Sequence, residues 1–195
     1  MITAVLLAAG ESRRMGKFKQ LLPLGGKSFV ECCVDNLLAS RVDNVIVVTG
    51  HREADVRSAV GNRPVRFAHN PDYRDGMSSS IKRGIDAIDE EADACLIALV
   101  DQPQIGADVI NRVIEAYKKE ETLIVIPSYE GRSGHPIILD LKLRDELCAI
   151  DPNEGLRQVV HAHSNEVVRI EISTDAVLTD FDLPEDYDRV LKRSG

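Results

Sequence analysis

The sequence predicts an α/β protein: a three-layer sandwich, doubly wound about a mostly parallel sheet that gains an antiparallel strand late in the chain. Three observations predict it. Short β-branched apolar runs alternate with stretches of helical periodicity, the pattern of strands joined through crossover helices. The runs are apolar on both faces, as strands covered by helices on both sides require. After residue 128 the alternation changes rhythm.

The elements follow in order. "TAVLLA" (3–8) reads as a buried strand; the apolar run around it has no preceding basic region and is too short to span a membrane. "SFVECCVDNLLAS" (28–40) is a helix opened by Ser28 and Glu31, the layout of a capping box. "NVIVVTG" (44–50) is a strand, "EADVRSAV" (53–60) a helix, "VRFAH" (65–69) a strand and "MSSSIKRGIDAI" (77–88) a helix. "ACLIALV" (94–100) and "TLIVIP" (122–127) are strands that flank "ADVINRVIEAYKKE" (107–120). That helix puts Val109, Ile110, Val113, Ile114 and Tyr117 on one face and ends in lysines, which suit the negative end of its dipole. Beyond residue 128 come a strand in "HPIILD" (135–140), a helix in "EGLRQVVHAH" (154–163), a strand in "EVVRIEI" (166–172) and a closing helix in "PEDYDRVLKR" (184–193), with Pro184 in its first turn. This late segment is expected to add the antiparallel strand and to cover the edge of the site. No stretch reads as a linker. Residues 1–195 are therefore expected to form one domain of Rossmann-like architecture with right-handed crossovers.

Net charge is −8, which argues against a general binder of nucleic acid or anionic membrane but leaves room for a small anion held by a local basic patch. Cys32, Cys33, Cys95 and Cys148 form no C-x-x-C pair and read as free thiols of a reducing, cytoplasmic compartment. In open α/β sheets ligands bind outside the carboxyl ends of the strands. The loops there span 9–19, 70–76, 101–105 and 128–135.

The first of these loops is the most informative. In "LLAAGESRRMGKFKQLLPL" (6–24), Arg13, Arg14, Lys17 and Lys19 crowd together in an acidic chain. The dinucleotide fingerprint fails, because Glu11 and Ser12 follow Gly10. The P-loop fails as well: Gly10 and Gly16 are one residue too far apart, Phe18 follows Lys17, and the decoy "GGKS" (25–28) would need a glycine at Leu21. The physics of phosphate binding is still present. Gly10 and Gly16 let backbone amides approach an anion, Ser12 offers a hydroxyl, and the cations neutralise charge.

The stretch G10-x-S12-x-R14-M15-G16-x-x-K19, followed by "LLPLGGKSFVE", resembles the opening motif of the MobA-like nucleotidyltransferases. "NPDYRDGMSSSIKRGI" (70–85), "LVDQP" (99–103), "GRSGHPIIL" (131–139), "EGLRQVV" (154–160) and "DFDLPEDY" (180–187) extend the resemblance over nearly the full length. "LAAG", "DQP" and "GHP" look most like the molybdenum cofactor cytidylyltransferases within that group. One departure stands out: "PNEGLR" (152–157) replaces the frequent "GD-x-G-x-R", so the aspartate is Asn153 or is displaced to Asp151, which bears on the acceptor more than on the reaction.

The resemblance implies transfer of CMP from CTP to the phosphate of molybdopterin, with Mg²⁺ as cofactor, release of pyrophosphate and delivery of the product to a molybdoenzyme or its chaperone. Ala8, Ala9, Gly10, Ser12, Gly16 and Lys19 would hold the nucleotide phosphates, with Lys19 and Arg14 as charge-stabilising groups. Gly76 and Ser80 would lie near base and ribose, and His135 and Arg157 would meet the acceptor. Asp101, at the carboxyl end of "ACLIALV", would hold the metal, with Asp182 or Asp180 as a second carboxylate. Two other readings stay open: the same fold with another pair of substrates, such as GTP or a sugar phosphate, and a nucleotide-binding protein without turnover.

Overall fold

The structure is a computed structural model that describes residues 1–181, 183 and 185–187. Strand β1 (Ile2–Leu7) is buried along its whole length at the centre of the sheet. A short hairpin, β2 (Pro23–Leu24) and β3 (Lys27–Ser28), leads into α1 (Phe29–Leu38). Then follow β4 (Asn44–Thr49), α2 (Glu53–Val60), β5 (Arg66–His69), α3 (Met77–Asp86), β6 (Ala94–Leu99), α4 (Ala107–Glu120) and β7 (Ile124–Tyr129). The last part holds β8 (Arg132–Ser133), β9 (Ile137–Asp140), α5 (Arg144–Cys148), α6 (Leu156–Ala162) and β10 (Val167–Glu171). Of the expected closing helix at 184–193, residues 185–187 are helical; Pro184 and residues 188–193 lie outside the described residues.

The main sheet runs β10-β7-β9-β6-β1-β4-β5, with β8 paired to β7. Strands β1, β4, β5 and β6 are mutually parallel, so their carboxyl ends open on one edge. The late segment adds an antiparallel strand, as expected: β9 lies inside the sheet between β6 and β7, pairing antiparallel with both, and the short β8 also pairs antiparallel with β7. The β9 residues Ile137, Ile138 and Leu139 are buried, a composition that suits the interior of a sheet.

Alternate residues of the strands serve opposite faces, and each face has its own core. Ala4, Leu6, Val45 and Val47 pack under α1, α2 and α4; Val5, Ile46, Val48 and Ile97 pack under α3, α5 and α6. The α1 start is the capping box read from the sequence: Glu31 Oε2 accepts from the Ser28 N–H at 2.8 Å and from its hydroxyl at 2.7 Å. Helix α5 had no local signal and is held from outside. Arg144 donates to the carbonyls of Ile85 (3.1 Å), Ile88 and Asp89, which closes the carboxyl end of α3.

Helix α3 lies so close to the sheet that a Cβ on Gly84 would stand 2.4 Å from Val5 Cγ1 and 3.2 Å from Val48 Cγ2. Alanine gains about 1 kcal/mol of helix propensity over glycine, while overpacking a rigid β-branched neighbour costs about 1–3 kcal/mol. The clash is expected to win. Gly84→Ala should lower the thermal midpoint by several degrees, at about 2–4 °C per kcal/mol for a chain of this size. An unchanged or raised midpoint in calorimetry would show that α3 can lift off β1 without loss.

Candidate active site

β1 ends at Leu7, and the chain leaves the sheet through a loop that carries its own scaffold. Gln20, 1 % exposed, donates from Nε2 to the carbonyls of Ala8 (3.1 Å) and Gly10 (2.8 Å). Its Oε1 accepts from the Ser12 hydroxyl at 3.0 Å, and Ser12 Oγ in turn accepts from the Lys19 backbone N–H at 3.1 Å. Ser12 has φ 56°, an uncommon left-handed conformation for a non-glycine residue that these bonds hold in place. The hydroxyl expected to face an anion is thus engaged within the loop. Gly16 also has positive φ, and a Cβ at Gly10 or Gly16 would meet nothing within 4 Å, so both backbones border open space.

This scaffold aims Lys19 at the end of β6. Its Nζ lies 2.9 Å from Asp101 Oδ2, with both side chains mostly buried. The second oxygen, Asp101 Oδ1, is buried and has no hydrogen-bond partner among the described residues. A hard oxygen left unspent beside a phosphate-sized opening fits Mg²⁺, which takes one or two carboxylates together with substrate phosphates. Asp182 lies outside the described residues, and among the described residues there is no cluster of three or more metal-ligating side chains. Asp180 Oδ1 accepts from Gln102 Nε2 at 2.7 Å.

Two adjoining cavities occupy this edge. The first, about 330 Å³, is lined by Ala9, Gly10, Ser12, Arg14, Lys19, Gly76, Ser80 and Asp101 among others. It gathers almost every residue expected at the nucleotide; Ala8 and Gly16 are absent from its lining, and Ala8 is fully buried beneath it. The second, about 680 Å³, is lined by both expected acceptor residues, His135 and Arg157. Charge is concentrated here against the sign of the whole chain: Arg13, Arg14 and Lys19 oppose Asp101 in the first cavity, and Arg157 and Arg169 oppose Glu154 in the second.

The loop across from Gly10 is built on Asn70. Its Nδ2 donates to the hydroxyls of Ser79 (2.9 Å) and Ser80 (3.0 Å), and its Oδ1 accepts from the Asp72 N–H at 3.0 Å. Glu11 bridges the two loops, accepting from Arg13 and Arg74, and these guanidiniums, Arg13 first, hold its carboxyl below the usual range. Gln20, Asn70 and Glu11 were not singled out by the sequence; a polar residue buried in a run of apolar and basic ones, as Gln20 is in "KFKQLLPL", was the available signal.

The "GHP" segment is packed against the chain's last described part. A Cβ on Gly134 would stand 2.1 Å from the Val177 carbonyl oxygen, and the His135 N–H donates to that oxygen at 3.0 Å. Gln104 Nε2 reaches the carbonyls of Ala176 (3.1 Å) and Thr179 (2.7 Å). The "DQPQ" and "GHP" motifs therefore share one structural task, fixing residues 176–180 beside Asp101.

A doubly wound sheet with this loop geometry places the chain among the α/β nucleotidyltransferase folds. More closely, it belongs to the MobA-like NTP transferase family, whose domain matches residues 4–167. Nicotine blue oxidoreductase of Paenarthrobacter nicotinovorans is 30 % identical over 97 % of this chain and 96 % of its own. The molybdenum cofactor cytidylyltransferase of Escherichia coli K12 is 25 % identical over 95 % and 93 %. The crystal structure of Rv0371c from Mycobacterium tuberculosis H37Rv has a TM-score of 0.86 at 26 % identity, covering 98 % of this chain and 97 % of that one. A complex of Rv0371c with manganese has a TM-score of 0.83 at 26 % identity and 98 % coverage of each.

Burial pushes the His135 imidazole below its ordinary value of 6.5, against the pull of the Asp101 carboxylate, which favours the charged form. The folded protein therefore binds this proton less readily than the unfolded chain. The associated stability is present above about pH 6.5 and is lost as pH falls through the folded value. His135→Gln should lose less stability than the wild type between about pH 7 and about pH 5.5 in urea titrations. Parallel losses in the two proteins would show that folding leaves the proton affinity of His135 unchanged.

Proposed function

We propose that this protein, as one domain over residues 1–195, transfers CMP from CTP to the phosphate of molybdopterin and releases pyrophosphate. The observation that carries this reading is the Lys19–Asp101 pair, 2.9 Å apart at the mouth of a cationic cavity that adjoins a second, partly apolar one. Such an arrangement suits the meeting of two anions. An acceptor phosphate oxygen attacks the α-phosphorus, the bond to the β-phosphate breaks, and its electron pair leaves with pyrophosphate. No side-chain nucleophile is needed; proximity and charge neutralisation suffice.

Lys19 turns from Asp101 toward the phosphates and meets the charge that grows on the leaving group, and Arg14 braces the same group. The backbone at Ala9, Gly10 and Ser12 borders the triphosphate, Ala8 supports it from beneath with its N–H spent on the Val48 carbonyl, and Gly76 and Ser80 border ribose and base. His135, neutral at pH 7, donates one hydrogen bond to the acceptor, and Arg157 neutralises its phosphate. Asp101 Oδ1 would hold Mg²⁺, with Asp182 as its proposed second ligand, and the ion would supply Lewis-acid neutralisation of phosphate charge. The product would pass to a molybdoenzyme or its chaperone.

The test is pyrophosphate release with CTP, GTP, ATP and UTP, with and without molybdopterin, in Mg²⁺. CTP with molybdopterin should be fastest. Faster release with GTP would overturn the choice of base and leave the reaction standing. Absence of release with all four would overturn the reaction, and a redox activity of the kind named for the 30 % relative releases no pyrophosphate.

Substitutions sharpen it. Asp101→Asn should fold normally and lose about 10²–10³-fold in turnover, the scale of removing one electrostatic group from such a site. Lys19→Ala should weaken nucleotide binding and slow transfer together. Arg13→Ala should do much less, because that exposed guanidinium is paired with Glu11. A larger loss at Arg13 than at Lys19 would mean that the phosphates lie on the other side of the loop.

A further inference from the structure

Met77 is the one residue among the described residues that lines both cavities. It begins α3, directly after Gly76, and is 57 % exposed. The helix packs through Ser78, Ser80, Ile81, Gly84 and Ile85, so the core is complete without it. The residues that follow divide between the cavities: Ser80 lines the first, and Ser78 and Ile81 line the second. The first turn of α3 is thus the wall between them, and Met77 is its crest. An apolar side chain held in water at such a place gains by contact with ligand. Methionine suits a two-sided contact, because its unbranched thioether adapts to either neighbour and packs well against flat rings.

We propose that Met77 touches both bound substrates and sets their relative position, making it a positioning residue for transfer. The proposal rests on the two-substrate reading above. Alanine would merge the two cavities and leave each substrate free to drift, and loss of a near-attack alignment slows transfer more than it weakens binding of either substrate.

The chain has three methionines, so ¹³C-methyl labelling of the full-length protein gives three signals. Met15 lines only the first cavity, and Met1 lies at the opposite end of β1. CTP with Mg²⁺ should shift Met77 and Met15, molybdopterin alone should shift Met77 and the His135 ring signals, and Met1 should stay still. If Met15 and His135 respond to their ligands and Met77 fails to respond to either one, the proposal falls while the functional reading stands. If Met15 and His135 both stay silent, the functional reading falls and takes the proposal with it.

Kinetics give a second arm. Met77→Ala should keep the wild-type thermal midpoint, lower kcat about tenfold and change the Kd for CTP less than about threefold, with Met77→Leu restoring most of kcat. Wild-type kcat in Met77→Ala would overturn the positioning role.

Discussion

The carboxyl edge of the sheet depends on the buried amide of Gln20. Where β1 ends, its carbonyls lose the neighbours that a strand would provide, and a buried carbonyl left unpaired costs about 1–3 kcal/mol. Gln20 supplies the missing donors to Ala8 and Gly10, and its oxygen recruits Ser12. One side chain thereby substitutes for a turn of backbone bonding where the loop leaves the sheet. The register of the loop follows from it: Ser12 accepts the Lys19 N–H, and Lys19 is delivered to Asp101.

The pair so delivered has a consequence for ligand binding. Two opposite charges 2.9 Å apart and mostly buried attract strongly. A cation arriving at Asp101 without an anion would compete with Lys19, and an anion arriving at Lys19 without a cation would compete with Asp101. In the proposed reaction, a nucleoside triphosphate carrying its metal would satisfy both groups at once.

Much of the fold was legible because its signals are local. The spans of α2 and α4 match the periodic runs at 53–60 and 107–120, and the Ser28–Glu31 box appears as read. What was not legible is made by distant partners. Helix α5 has five residues, too few to stand alone, and exists through Arg144 on the carbonyls at the end of α3. The place of β9 inside the sheet is a matter of global topology, which its apolar run leaves undetermined. The same division holds in the site. The glycine and lysine spacing pointed to the loop, but the roles of Gln20, Asn70, Gln102 and Gln104 come from contacts between segments far apart in sequence, and Ser12 serves inside the loop.

The departure at 152–157 gains a physical meaning from the second cavity. Asp151 does not line it; its Oδ1 accepts from the Asn153 N–H at 2.7 Å and so helps to hold the turn. Asn153 lines the cavity instead, a neutral amide where the resemblance leads one to expect a carboxylate. Arg157 and Arg169 consequently face one carboxylate, Glu154, over an apolar floor that includes Ile81, Ile126 and Ile137. A wall with excess positive charge above an apolar floor suits an acceptor that joins an anionic group to a flat organic body. An aspartate at position 153 would cancel part of that charge, so the asparagine leaves this cavity more cationic than the family pattern would.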